Sequence, residues 1–140
     1  MNQEIELHDS ELAAISSLGD QIILSFEPAY IHRSLGRPGI DPGTGWTQDV
    51  TLTIRGVSAF SQVVLPATVS SGWLRIGDKL YENAMPAAGT FESPIEFSAV
   101  VFAQDFTVRS DINIRGSSLT VVLNGEPHYV EEFPPKSGVT

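Results

Sequence analysis

The feature that most constrains this sequence is the alternation of apolar and polar side chains with a period of two. Residues 50–55 read Val-Thr-Leu-Thr-Ile-Arg, so that three apolar side chains point one way and the polar ones point the other. Residues 22–27 alternate in the same manner, and residues 95–102 carry apolar groups on both faces. Because a period of two is typical of β-strands and a period of 3.6 of helices, the sequence predicts an all-β protein.

Short turn signals separate the alternating runs. Asn124–Gly125 suits the two positive φ angles of a type I′ turn and gives the strongest hairpin prediction in the chain. Gly77–Asp78 predicts a second hairpin with a type II′ turn, and Gly19–Asp20 predicts a third. Pro127 cannot donate to a ladder, so either its strand lies at a sheet edge or the proline occupies a position that makes no ladder hydrogen bond.

Short strands with regularly spaced turns are typical of sandwiches and barrels. The sequence therefore predicts a two-sheet antiparallel β-sandwich, with a partly open β-barrel as the alternative. A chain of 140 residues suits one domain. We expect this domain to span residues 1–133 and the polar residues 134–140 to form a flexible C-terminal tail.

Composition excludes several classes of function. The chain has no cysteine, which excludes disulfides, thiolate nucleophiles and cysteine-bound metals. The formal net charge of −9 would repel a phosphate backbone, so no nucleic-acid partner is expected. The same charge would attract a basic protein, although an acidic surface also serves solubility alone.

The sequence contains no apolar run of the roughly 20 residues that a membrane span needs. The N-terminal segment, residues 1–6, is polar and acidic, unlike a secretory signal. We therefore expect a soluble, cytoplasmic protein with no membrane partner.

The segment 34–45 is crowded with glycine and proline and is predicted to be the longest loop. Loops of this length often carry function. The candidate ligand-binding residues lie in or beside it: Tyr30, His32, Arg33, Arg37, Asp41 and Trp46. An indole face can cover the apolar face of a sugar ring, but the side chain of Trp46 also has the parity of a core residue, and both interpretations stay open.

No motif identifies a catalytic, metal or cofactor site. His8, Asp9 and Ser10 have the residue types of a hydrolytic triad, but adjacent side chains on a strand point to opposite faces. A local turn or capping role for Asp9 or Ser10 is the better interpretation. Metal-ligand spacing is absent, so a metal-dependent hydrolase would require residues such as His8, His32 and Asp41 to converge in space.

Residues 7–15, Leu-His-Asp-Ser-Glu-Leu-Ala-Ala-Ile, are followed by the strand-like residues 21–27. This stretch resembles the opening of small uncharacterised bacterial families, some of which are described as immunity proteins of toxin systems. The resemblance implies an interaction protein and assigns no role to a residue outside the stretch.

Together these observations favour a non-enzymatic binding or interaction module with a protein partner. An immunity-type protein that binds a basic partner is the sharpest form of this hypothesis. A carbohydrate- or small-ligand-binding sandwich and a metal-dependent hydrolase are the alternatives, and sheet edges would also permit a homo-oligomer. No cofactor is expected.

Overall fold

The computed structural model describes residues 1–60 and 62–134, and within them the chain forms eleven β-strands. The strands are β1 (Asn2–Glu6), β2 (Glu11–Leu18), β3 (Gln21–Ser34), β4 (Gly43–Arg55), β5 (Ala67–Ile76), β6 (Lys79–Glu82), β7 (Ala84–Pro86), β8 (Gly89–Phe91), β9 (Ile95–Ala103), β10 (Val108–Gly116) and β11 (Ser118–Phe133). Of the predicted tail, residues 134–140, all but Pro134 lie outside the described residues. Those described include no helix long and apolar enough to cross a membrane.

All strand pairs are antiparallel and belong to one sheet, in the order β10-β9-β5-β2-β3-β4-β11-β8. β1 pairs with β3 and β7, and β6 pairs with β5. Among the described residues the two end strands of this order, β10 and β8, are not paired with each other, so the sheet is not closed into a barrel. The all-β antiparallel prediction is confirmed, whereas the strand pairing does not show two separate sheets.

The alternating residues form the core as expected. Ile22, Leu24 and Phe26 of β3 and their partners in β4 are buried, while the intervening side chains are partly exposed. Side chains from both halves of the sheet join one hydrophobic core, in which Phe97 of β9 and Leu119 of β11 are members. Full burial of each such side chain stabilises the fold by about 1.5–3 kcal/mol.

Two of the three predicted hairpins are confirmed. Leu18 pairs with Gln21 across Gly19–Asp20, and Ile76 pairs with Lys79 across Gly77–Asp78. Gly77 has a φ of 58°, the positive angle that the first central position of a type II′ turn requires.

The third hairpin prediction, at Asn124–Gly125, is wrong. β11 runs through this dipeptide and pairs with β4 on both sides of it, through Asn124 with Asp49 and through His128 with Thr47. The register shift between these pairs is a β-bulge in which Gly125 adopts a φ of 71°. The Gln48 side chain supports the bulge, because its Nε2 donates a hydrogen bond of 2.9 Å to the Gly125 carbonyl. A glycine with positive φ serves a bulge as well as a hairpin, and β4 is long enough to pair with both halves of β11.

The predicted loop 34–45 is shorter than expected, because β3 ends at Ser34 and β4 already begins at Gly43. Two of the glycines serve close packing within the sheet. A side chain at Gly43 would collide with the Arg33 carbonyl, and one at Gly45 would collide with the Tyr30 hydroxyl. The tight β3–β4 connection, residues 35–42, therefore follows directly on the last pair of the long β3–β4 ladder.

Candidate functional site

The candidate site lies where the first and last strands of the chain flank the β3–β4 ladder. In the register of the sheet, Glu6 of β1 is opposite Tyr30, His32 is opposite Gly45, and Gly45 is opposite Glu131 of β11. Strand alternation turns Tyr30 and His32 to the same side. We call the surface formed by Glu6, Tyr30, His32, Glu131 and Phe133 the His32 face.

Each polar ring of the His32 face is held by a carboxylate from a different strand. The Tyr30 hydroxyl donates a hydrogen bond of 2.7 Å to Glu131 Oε2. His32 Nε2 lies 3.2 Å from Glu6 Oε1. The carboxylate of Glu6 therefore orients the imidazole, and that of Glu131 orients the phenol.

His32 is packed between two aromatic rings. Its ring centroid is 5.0 Å from that of Tyr30, in an edge-on arrangement, and 5.2 Å from that of Phe133. Only 13% of the His32 side chain is exposed. Within the described part of the chain, its buried Nδ1 has no hydrogen-bond partner. The ring is thus fixed by packing and by one polar contact.

A cavity of about 220 Å³ opens beside His32. Its walls come from the β3–β4 connection and the end of β11: His32, Gly39, Ile40, Asp41, Pro42, Phe133 and Pro134. Most of these side chains are apolar, and Asp41 supplies the charge. Asp41 Oδ2 accepts a 2.6 Å hydrogen bond from the Arg37 backbone N–H, while the Arg37 Nε lies 3.6 Å from the same oxygen.

Arg33 and Trp46 lie on the opposite side of the sheet. The Arg33 guanidinium sits 4.4 Å from the centroid of the Trp46 ring, and its Nε donates to Gln3 Oε1 at 2.9 Å. The Trp46 indole N–H donates to Thr44 Oγ1, and the ring of Tyr129 meets the indole edge-on. Because the half-buried indole also packs against the core, a sugar could stack on it only after displacing the guanidinium.

The six residues predicted to bind a ligand are therefore divided between two surfaces. Tyr30 and His32 belong to the His32 face, and Asp41 lines the adjoining cavity with Arg37 paired to it. Arg33 and Trp46 form a separate pair. Sequence reasoning missed Glu6, Glu131 and Phe133. The alternation of Glu4, Ile5 and Glu6 was the one available signal, since it marks a strand with an acidic face.

Burial and charge shift two pKa values near this site. Burial, the hydrogen bond to Glu131, and the charges of Glu131 and Glu6 together raise the pKa of Tyr30 well above its usual range. Burial also raises the pKa of Glu4, against the opposing charges of Lys79 and His32. The Tyr30 hydroxyl accordingly remains a hydrogen-bond donor at all physiological pH values.

The local role predicted for Ser10 is confirmed. Ser10 is buried, its hydroxyl donates a 2.7 Å hydrogen bond to the Glu6 carbonyl, and it accepts one of 3.1 Å from the Tyr30 backbone N–H. This side chain thus ties β1 to β3 directly behind the His32 face.

The metal-dependent alternative finds no site in residues 1–60 and 62–134. There, no group of three or more histidine, aspartate or glutamate side chains is placed to hold an ion. His8 Nδ1 lies 2.7 Å from the Ser70 carbonyl, whereas His32 contacts Glu6 and Asp41 contacts Arg37. The set of His8, His32 and Asp41 therefore does not converge, because His32 and Asp41 line one cavity while His8 contacts Ser70 in another part of the sheet.

No protein-family model, curated protein or solved structure matches this chain. Its function has to be inferred from the geometry of the site. The strongest concentration of convergent polar and aromatic side chains is the His32 face with its adjoining cavity.

Proposed function

We propose that this protein is a non-enzymatic binding module that recognises a basic protein partner through the His32 face. The observation that carries the proposal is the convergence of two carboxylates, Glu6 and Glu131, on the packed rings of Tyr30, His32 and Phe133. Carboxylates form charge-assisted hydrogen bonds with cations, and aromatic faces attract cations through their quadrupoles.

The two carboxylates are held in position before a partner arrives. One oxygen of each makes an internal hydrogen bond, to the Tyr30 hydroxyl or to the His32 ring, and the second oxygen has no hydrogen-bond partner among the described residues. Such preorganisation lowers the entropy lost on binding. The net charge of −9 would in addition steer a basic protein towards the surface.

An immunity-type protein that blocks a basic toxin is the sharpest form of this proposal. The resemblance of residues 7–27 to the opening of small uncharacterised bacterial families, some of them described as immunity proteins, favours it. Ser10, which lies in that stretch, links β1 to Tyr30 and so couples the stretch to the His32 face.

The proposal can be tested by NMR with a synthetic hexapeptide of alternating glycine and lysine. We expect the peptide to shift the backbone amides of residues 30–33, 43–46 and 131–133 in the ¹⁵N-labelled protein. The same peptide with acetylated lysines should not shift them. Affinity should fall as salt rises from 50 to 500 mM, because exposed charge pairs are screened.

Two conservative variants locate the binding surface. Glu6→Gln and Glu131→Gln each remove one charge, keep an oxygen for the internal hydrogen bond, and should weaken binding about two- to fivefold. Glu126→Gln is the matched control, because this exposed glutamate lies in the β11 bulge away from the rings. Equal effects of all three substitutions would mean that net charge, and not the His32 face, attracts the peptide.

Self-association through a sheet edge has weaker support. Beyond Val121, the outer edge of β11 is not paired with any described strand. This edge carries two register shifts, Pro127 and the exposed Glu126, Glu131 and Glu132. Bulges, proline and charge are the features that hinder strand addition, and two copies would bring like charges together.

We also infer that the single sheet folds over its core in two layers, as in the sandwich predicted from the sequence. Side chains from β9 and β10, near one end of the strand order, share a core with those from β4 and β11, near the other end. Small-angle scattering would test this arrangement through the particle's shortest dimension, which should equal two sheets packed about 10 Å apart plus their outer side chains.

A further inference from the structure

We infer that the cavity beside His32 receives one lysine side chain of the basic partner, an inference that rests on the proposed function. The cavity combines apolar walls with one carboxylate, which matches the aliphatic stem and charged head of lysine. Its volume of about 220 Å³ is many times what a single water requires, so the five heavy atoms of the side chain fit within it.

The walls suit the stem of the incoming side chain. Ile40 and Pro42 approach from the β3–β4 connection, and Phe133 and Pro134 approach from the end of β11. Contact with these groups removes four methylenes from water, which favours a long stem over a short one.

The available carboxylate oxygens favour an ammonium over a guanidinium. Asp41 Oδ2 already accepts the Arg37 N–H, and Glu6 Oε1 and Glu131 Oε2 are also engaged. Within residues 1–60 and 62–134, each carboxylate therefore keeps one oxygen without a hydrogen-bond partner. A guanidinium binds best to both oxygens of one carboxylate, whereas an ammonium is a compact charge whose donors accept single oxygens.

Arg37 is an internal competitor for the same carboxylate. Its Nε is 3.6 Å from Asp41 Oδ2, longer than a charge-assisted hydrogen bond, and its side chain is 73% exposed. Such a contact is easily exchanged for a better one. An incoming ammonium at Asp41 would displace the Arg37 guanidinium, so this contact lowers the affinity for the partner.

The stem and the head can be tested separately with variants of the glycine–lysine hexapeptide. Replacing lysine by norleucine keeps the stem and removes the charge, while diaminopropionate keeps the charge and removes three methylenes. Each replacement should weaken binding at least about tenfold. Replacement by arginine, which keeps both features, should weaken it by a smaller factor.

Protein variants with a matched control provide the second arm. Ile40 and Leu35 lie on the same connection and are 62% and 85% exposed, but only Ile40 lines the cavity. Ile40→Ala should weaken binding of the lysine peptide, and Leu35→Ala should leave it unchanged. Asp41→Asn, which keeps an oxygen for the Arg37 N–H, should also weaken binding, whereas Arg37→Ala should strengthen it.

The results separate this inference from the proposal on which it rests. If the diaminopropionate peptide binds as tightly as the lysine peptide and Ile40→Ala has no effect, the lysine cavity is wrong while recognition of a basic partner stands. If no lysine peptide binds at all, both are overturned. Strengthening by Arg37→Ala, together with loss on shortening the stem, would establish the cavity as the lysine site.

Discussion

The most informative single substitution is Ser10→Ala, because one hydroxyl connects two strands behind the candidate site. Ser10 is 1% exposed, donates to the Glu6 carbonyl and accepts from the Tyr30 N–H. Alanine fits the same space and makes neither bond. The substitution therefore leaves the partly buried Glu6 carbonyl and Tyr30 N–H without the partner that each has in the native protein.

The expected cost follows from those two groups. A buried polar group that loses its partner costs about 1–3 kcal/mol. Because the two groups here are only partly buried, each should cost no more than about 2 kcal/mol, and the free energy of unfolding should fall by about 2–4 kcal/mol. Unfolding entropy of about 2.1 cal/mol/K per residue gives about 0.3 kcal/mol/K for 140 residues. A loss of about 3 kcal/mol then lowers Tm by about 10 °C.

Urea unfolding and calorimetry measure this cost, and hydrogen exchange localises it. The Tyr30 amide should exchange much faster in the variant, because its acceptor is gone. Ser16→Ala is the control, since Ser16 is exposed on β2, and it should change stability by less than about 0.5 kcal/mol. Equal stability of the two variants, with unchanged exchange at Tyr30, would refute the role assigned to Ser10.

Three further predictions concern single side chains. The raised pKa of Tyr30 contributes stability that is present below 10.0, the ordinary tyrosine pKa, and is lost as pH rises above it. Tyr30→Phe should therefore flatten the fall in urea midpoint between about pH 10 and 12. Equal slopes for the variant and the native protein would contradict this. Burial raises the pKa of Glu4 above its ordinary value of 4.5, so the stability that Glu4 contributes is present below that pH and is lost above it. Glu4→Gln should raise Tm at pH 7, and this gain should disappear towards pH 4. A gain that does not depend on pH would speak against burial as the cause. Gly125→Ala should lower the free energy of unfolding in urea by about 1 kcal/mol, because the φ of 71° disfavours a side chain, although a methyl group there meets no atom within 4 Å. Gly125→Asn should cost less, since asparagine tolerates a positive φ better. An alanine variant as stable as the native protein would disprove strain at this position of the bulge.

Local pattern determined much of the fold. The alternation in residues 50–55 correctly placed three side chains in the core, and two glycine–aspartate pairs correctly marked hairpins. Asn124–Gly125 failed because its local preference, a positive φ, is satisfied equally by a bulge. Only the length of β4, which is a property of the folded sheet, decides between the two.

The candidate site was predicted in part for a similar reason. Tyr30, His32 and Asp41 could be found because they lie near one conspicuous glycine- and proline-rich segment. Glu6 and Glu131 could not be found, because sheet register and not sequence proximity places them beside these residues. Arg33 and His32 lie near the same segment but on opposite sides of the sheet, because neighbouring residues on a strand face opposite sides.

One surface is built from β1 and β11, the first and last strands in sequence order, and this has a consequence for biosynthesis. A ribosome delivers Glu6 long before Glu131, so every growing polypeptide that stops short of Glu131 lacks one of the two carboxylates. Contacts between such distant residues also form slowly, because a long loop must first close. The binding that we propose should therefore arise only after Glu131 has been added, and translation products that end before Glu131 should not bind a basic partner.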